Sequence, residues 1–515
     1  MDGSHHLPKC AKRLRHALLI AVSTAIATAS AAQDARLRRT SPEAQGVPSE
    51  TVAAFLDSVM STPDAELHHV MLLRHGAVIG EAHPSPFRAE DGHTLFSCSK
   101  TFAAAAVGMA VEENRLRLTD RVAAFFPGEL PDDIPPRLAD LTVYDLLTMR
   151  SGFAPTDSVR AHCDAWVGEC LKRRQTADPG SLFAYDSMDT YLLSAIISRV
   201  AGVPLAEYLR PRLFEPLGIR EAVWESSPEG VSCGGWGLYL TAESMAKFGQ
   251  CLLNGGLFEG RRVLTESWVR NMMSVHVAEK GYGLQMWSCA HPNTMRADGA
   301  YGQFIIVMPD EDMVCVITQC ITSAAPGNRE QRMLFRIVVP ALSEGPLPKT
   351  RKSERLGARH AGYTTRTAPG RSSSAILTDG SAITLRLPVN RLGWQSITLS
   401  PNGKTLTATV IDSLSRIVPI ELANGGWTRG QVPTTFPPHP KGFTRGAYSG
   451  FTQPFVVAGS YGWTGRKTLN LRLLFADWIS GIEMTIHFDA AKSAEISAKC
   501  NFDRSPFTMR ASVEP

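Results

Sequence analysis

Ser97 and Lys100 lie three residues apart in Phe96-Ser97-Cys98-Ser99-Lys100-Thr101-Phe102, and a run of small apolar residues, Ala103 to Val111, follows them. If that run is a helix, Ser97 occupies its first turn and Lys100 stands one turn on, on the same face. An amine then lies beside a hydroxyl. A serine is a poor nucleophile at its own pKa and needs a neighbouring base, and the unpaired N–H groups of a helix N-terminus favour developing negative charge. The stretch offers both, so the chemistry it predicts is acyl transfer through a serine. The same spacing recurs at Ser244-Met245-Ala246-Lys247, inside an ordinary amphipathic pattern with no small-residue run behind it. We read that copy as coincidental. Two further groups carry chemistry-bearing side chains: Tyr185-Asp186-Ser187, and Arg296-Ala297-Asp298-Gly299-Ala300-Tyr301-Gly302-Gln303.

The elements that must position these groups can be read from pattern. Val70 to Leu73 and Ala77 to Ala82 flank Arg74-His75-Gly76 and predict a hairpin at a sheet edge. The Ser97 helix ends near Asn114. Leu141 to Met149 reads as a short helix capped by Thr142 and stopped at Ser151-Gly152. Arg160 to Gln175, polar with Trp166 inside it, predicts a lid or wall over a site, or an ordinary surface helix. Tyr191 to Val200 is an apolar helix ended by Gly202. Gly234 to Leu240 is glycine-rich and extended, and Thr241 caps the helix that carries Met245, Phe248, Leu252 and Leu253 on one face. Gly281 to Trp287, Tyr301 to Met308 and Met313 to Gln319 read as strands, the last two as a hairpin through Pro309-Asp310-Glu311-Asp312.

After the basic, proline-bearing run Ser343 to Arg359 the period changes. Short alternating strands follow: Ile383, Leu385, Leu387; Leu406, Ala408, Val410; Leu469, Leu471, Leu473, Phe475; Met484, Ile486, Phe488. They predict an antiparallel sandwich or small barrel of roughly eight strands.

At 515 residues, 44% hydrophobic and 20% charged, the chain has the composition of a soluble globular protein of two domains. Lys9, Lys12, Arg13 and Arg15 precede an apolar stretch, Ala17 to Ala29, and the small-residue run Ala29-Ser30-Ala31-Ala32, which reads as a signal peptide for export to the periplasm or medium. The stretch is shorter than a membrane-spanning helix needs. Net charge is −10 over residues 33–345 and +11 over 346–515. The opposite signs predict mutual docking or a C-terminal part facing an anionic cell-envelope surface; two independently solvated domains are the plainer alternative. Nine cysteines remain after the signal segment, an odd number, and Cys163 with Cys170 is the best candidate for a disulfide. No Cys/His spacing resembles a metal site, and no cofactor or nucleic-acid partner is expected.

In order and spacing, Ser97/Lys100, Tyr185-Asp186-Ser187 and Asp298-Gly299 together resemble the class C β-lactamase and penicillin-binding-protein-like serine hydrolases. That family includes esterases, D-aminopeptidases and 6-aminohexanoate-dimer hydrolases. The resemblance covers roughly Ser41 to Leu342. It implies an α+β fold, an antiparallel sheet flanked by helices with a helical subdomain, followed here by the all-β domain. The expected boundaries are a signal peptide at 1–32, hydrolase domain at 33–345, linker at 346–360 and all-β domain at 361–515.

Carried over residue by residue, the resemblance makes Ser97 the nucleophile, Lys100 the amine that holds it ready, and Tyr185 the general base and then acid. Ser187 would hydrogen-bond Lys100 or substrate. Asp298 and Gly299 would line the substrate site, with the Ser97 and Ala300 N–H groups as the oxyanion hole. A protonated lysine beside a phenol would favour phenolate, which predicts a Tyr185 that accepts a proton near neutral pH. Where the family carries Lys/His-Thr/Ser-Gly, this chain has Ala297-Asp298-Gly299, and Arg296 is one residue off register. A penicillin-like carboxylate is then poorly held. The expected activity is cleavage of a small ester, amide or peptide-like substrate. A D-amino-acid peptidase, a weak β-lactamase on cell-wall-type substrates, and a non-catalytic peptidoglycan-binding protein are the alternatives.

Overall fold

The computed structural model describes residues 36–156, 158–321, 328–349, 362–378, 380–433, 436–438, 454–489, 492–503 and 505–514. The predicted signal segment and residues 350–360 of the predicted linker lie outside these. At the centre of the first part is a six-stranded antiparallel sheet, in the spatial order Ala77–Ala82, Ala65–Arg74, Met313–Ile321, Gln303–Met308, Met295–Gly299 and Trp287–Ser288. Its inner strands are continuous apolar runs because both faces are covered. Val70, Leu72, Ile306 and Ile317 pack with Val52, Phe55, Leu56 and Val59 of the helix Ser49–Met60. Met71, Leu73, Ile305 and Val316 face the other way, in one core with Phe102 of the helix Ser99–Glu112 and Met245 and Phe248 of the helix Ala242–Leu253. One-residue alternation thus serves two cores from the same strands.

The helical subdomain holds the elements expected of it. Thr142 and Asp145 form a reciprocal capping box on Val143–Leu147. Asp186 caps Ser187–Ala201, and Gly202 ends that helix in the left-handed conformation. The segment after Arg160 is a wall rather than a lid. Trp166 is buried, with its ring centroid 5.4 Å from that of Tyr191 and 5.9 Å from that of Trp236. Two expectations need correction. Of Gly281 to Trp287 only the end is strand, Trp287–Ser288. The extended path breaks at Gln285, held at φ 61° because its side-chain amide donates to the Leu146 and Leu147 carbonyls and accepts from Thr190. Cys163 and Cys170 do not pair; all nine cysteines of the described residues are free thiols.

The C-terminal part is a closed barrel of nine strands rather than a sandwich. Consecutive antiparallel pairings run through Ile383–Arg386, Trp394–Asn402, Thr405–Asp412 and Ile417–Asn424 on one side, and through Phe455–Thr464, Thr468–Phe475, Gly481–Phe488, Ser493–Cys500 and Phe507–Glu514 on the other. Antiparallel pairing of the first and last of these strands joins the two runs, and a short parallel pairing, Ala423 with Ser460 and Asn424 with Tyr461, closes the ring. Thr428–Val432 lies outside it on Phe455–Thr464. Closure removes sheet edges, and the alternating residues Leu406, Ala408, Val410, Leu469, Leu471 and Ile486 fill the interior.

The two parts dock, and charge pairs of the predicted signs lie between them. Arg429 of the barrel side holds Asp91 in a two-bond fork at 2.6 and 3.0 Å. Arg472 pairs with Glu66, both nearly buried. Apolar contacts join them too: Phe87 packs with Leu474 and Ala476, and Trp478 sits 5.3 Å from the Phe96 ring and stacks on Tyr239. Burial raises the Glu66 carboxyl, but Arg472 and His68 reverse that and hold it below its ordinary value. Removing one partner of such a pair strands a buried charge. Arg472→Met is expected to destabilise the protein by about 3–5 kcal/mol, read as a lower urea midpoint; an unchanged midpoint would mean that Glu66 is hydrated in the folded state.

Candidate active site

From His93 to Ala110 every residue but one is buried, and the exception is Ser97. It sits in a single 3-10 turn, Phe96–Cys98, that feeds directly into the helix Ser99–Glu112. Phe96 takes φ +46°, a conformation L residues avoid, and so turns the chain sharply enough to present the serine. The turn is tied on both sides. Leu95 N–H donates to the Leu238 carbonyl at 2.9 Å, and the Ser99 hydroxyl donates to the Phe96 carbonyl at 2.6 Å.

Lys100 is 1% exposed, and its amine donates to Ser97 Oγ at 3.1 Å, Ser187 Oγ at 3.0 Å and the Gly235 carbonyl at 2.6 Å. Gly235 can come this close only for lack of a side chain, since a Cβ there would fall 2.6 Å from the Ser187 carbonyl oxygen. Burial drives the amine down to about 7, against the opposing charge of Asp186. Asp186 itself is ion-paired with Arg173, whose other nitrogen lies 3.8 Å from the buried Asp189.

Tyr185 is half-buried, its ring centroid 4.9 Å from the Lys100 amine. Burial raises its phenol above the ordinary value; a hydrogen bond with Ser97 opposes this, and the charge of Asp298 adds to it. The electrostatic order is the reverse of the one expected from sequence. The lysine is the group brought toward neutral pH, and the phenol keeps its proton. Tyr185 is backed by an aromatic wall, with Trp287 at 5.5 Å and Tyr282 at 6.2 Å between centroids.

The strand Met295–Gly299 runs past the serine turn at close quarters. A Cβ on Gly299 would lie 2.3 Å from the Leu95 carbonyl oxygen, so only glycine fits there. Ala300 follows in the turn, and among the described residues neither its N–H nor that of Ser97 donates to a backbone carbonyl. Asp298 is bound through Oδ2 by Arg296 Nε at 2.8 Å. The structure therefore brings Ser97, Lys100, Tyr185, Ser187, Asp298, Gly299 and Ala300 into one neighbourhood. Cys98 belongs to the packing, since its buried thiol donates to the Gln303 carbonyl at 3.2 Å and burial raises it well above its ordinary value. The second Ser-x-x-Lys disperses: Ser244 donates to Glu221 and Lys247 to the Gly218 carbonyl.

Three contributors escaped the sequence reading. The Gly235 carbonyl carried a signal, the doublet Gly234-Gly235 ahead of a tryptophan, but a backbone acceptor has no residue type to betray it. The Arg173–Asp186–Asp189 cluster and the wall of Tyr282 and Trp287 had none, because local pattern does not report which way those side chains turn in the assembled fold.

The family profile described as Beta-lactamase matches residues 62–338. The 6-aminohexanoate-dimer hydrolase of Paenarthrobacter ureafaciens is 25% identical over 280 residues, 48% of this chain and 70% of that protein. A protein of Escherichia coli (strain K12), provisionally named D-alanyl-D-alanine carboxypeptidase, is 28% identical over 170 residues, 30% of this chain and only 38% of its own length. A solved structure from Bacillus anthracis, provisionally described as a 6-aminohexanoate-dimer hydrolase, superposes with a TM-score of 0.52 at 21% identity, over 62% of this chain and 90% of that one, which shows a shared fold.

Holding Lys100 near 7 costs folding free energy. The unfolded lysine titrates near 10.5, so between about pH 7 and 10.5 the unfolded chain binds more protons than the folded one and stability rises with pH. The penalty is full below 7 and fades above it. Lys100→Met is expected to gain most over wild type below pH 7, the gap closing by about 1.4 kcal/mol per pH unit above it. Thermal melts from pH 6 to 9 measure this, and a gap independent of pH would mean that the amine titrates alike in both states.

Proposed function

This chain belongs to the Beta-lactamase family of serine hydrolases, and on that premise we propose that it cleaves an ester or amide through an acyl-enzyme on Ser97. The observation that carries this reading is the Lys100 amine, hydrogen-bonded to the Ser97 and Ser187 hydroxyls at once and depressed to about 7 by burial. A neutral amine at that position takes the Ser97 proton as Oγ bonds to the substrate carbonyl carbon. The carbonyl oxygen becomes an oxyanion facing the N–H groups of Ser97 and Ala300. Tyr185, its phenol kept protonated by partial desolvation, supplies a proton to the departing amine or alkoxide and is reprotonated through Lys100. Water then attacks the acyl-enzyme and the same groups return the serine. In this assignment Lys100 is the base and Tyr185 the proton donor and relay.

Amide or ester cleavage is favoured over β-lactam cleavage because the position of the family's cation is held by Ala297, and Arg296 is tied to Asp298. The Paenarthrobacter relative is named for an amide, the 6-aminohexanoate dimer. The E. coli relative's name favours a second reading, a peptidase on cell-wall-type substrates. The basic run and apolar stretch before Ala32 support export to the periplasm or medium.

Exposure to a fluorophosphonate and, separately, to a penicillin, followed by mass spectrometry, tests the assignment. Ser97 is expected to be labelled by the first and not the second; penicillin labelling would support the cell-wall reading. Ser97→Ala is expected to lose p-nitrophenyl ester turnover by about 10⁴-fold or more. No adduct and no loss on that substitution would leave only a binding role. In wild type kcat/KM is expected to rise with pH through about 7 as Lys100 loses its proton. Lys100→Arg, which stays charged, is expected to be inactive across that range.

A further inference from the structure

Burial alternates along Met295–Gly299, with Met295, Ala297 and Gly299 in the core and Arg296 and Asp298 on the more open face. Two of the three guanidinium nitrogens of Arg296 are engaged there. Nε donates to Asp298, and Nη1 donates to the Ser288 carbonyl and lies 3.7 Å from Cys289 Sγ. Nε and Nη1 are thereby withdrawn from a substrate carboxylate.

Asp298 is engaged on one side only. Oδ1 accepts no hydrogen bond from the described residues, and the side chain keeps 29% exposure. Trp287 is the cross-strand partner of Arg296 and so lies on the same face, 5.5 Å from Tyr185 and 4.6 Å from Tyr282 between ring centroids. Burial raises the Asp298 carboxyl even with Arg296 beside it, and an incoming cation would relieve that penalty. A carboxylate oxygen with open lone pairs beside aromatic rings is a setting that favours an ammonium group, through a charge-assisted hydrogen bond and the ring quadrupole. A substrate carboxylate would meet like charge.

We propose that Asp298 is the specificity-determining residue of this cleft: its Oδ1 anchors a primary ammonium group, and the substrates are amino-bearing amides or esters. The proposal rests on the serine-hydrolase reading for the place of this subsite beside Ser97.

The test uses the full chain with n-butylammonium, n-butanol and butyrate as probes, each titrated calorimetrically and as a competitor of p-nitrophenyl acetate turnover. Butylammonium is expected to bind at least about tenfold more tightly than butyrate. Asp298→Asn is expected to erase the difference, and Arg296→Met, which removes the competing cation, to widen it. Butyrate binding as well as butylammonium in wild type overturns the proposal. So does an Asp298→Asn protein that melts like wild type and keeps the preference. Ester turnover without an Asp298-dependent preference leaves the hydrolase standing and removes the subsite. Asp298-dependent binding of butylammonium without any turnover does the opposite.

Discussion

The amine of Lys100 donates to oxygen atoms from three separate segments: the turn at Ser97, the helix start at Ser187 and the glycine run at Gly235. An ammonium group out of water is unfavourable unless its donors are all engaged, so each segment must arrive in register for the other two to be tolerated. The helix Ser99–Glu112 sets the height of the amine. The cap at Asp186 sets the first residue of the second helix, and the absence of a side chain at Gly235 sets how near the third acceptor comes. The same crowding that makes the amine costly to bury lowers its proton affinity to the range in which a base can work. Local instability and reactivity have one physical source here.

A second constraint acts from outside the hydrolase domain. The barrel touches the chain just ahead of the nucleophile, through the Thr94 N–H on the Asp477 carbonyl at 3.1 Å and through Trp478 on Phe96. The second of these contacts lies on the very residue whose positive φ turns the chain at Ser97. Strained backbone persists where its surroundings over-determine it. Much of what surrounds Phe96 comes from the other domain.

Much of this was legible in sequence, and the parts that were not share a cause. The hairpin at Arg74-His75-Gly76, the Thr142 and Thr241 caps and the alternating barrel strands are local, and period and capping chemistry report them directly. Ser97, Lys100, Tyr185, Ser187 and Asp298 were singled out by type and order, and the structure brings them together. Their protonation was not. Whether Lys100 or Tyr185 titrates nearer neutrality depends on how deeply each is buried, and burial is a property of the assembled fold. The choice between sandwich and barrel, both of which the strand pattern allowed, has a related cause, since the parallel pair of Ala423 and Ser460 that closes the ring joins segments with no shared local signal. Gln285 overrode an extended pattern through hydrogen bonds to residues far away in the chain.

The contact between Trp478 and Phe96 also bears on when the enzyme becomes competent. The chain is made from its N-terminus, so the turn that bears Ser97 emerges long before the barrel strand pair that supplies Trp478. Until that pair has folded and docked, Phe96 has Tyr301 of the hydrolase domain against its ring but lacks Trp478. A domain made later thus completes the surroundings of a nucleophile turn made earlier.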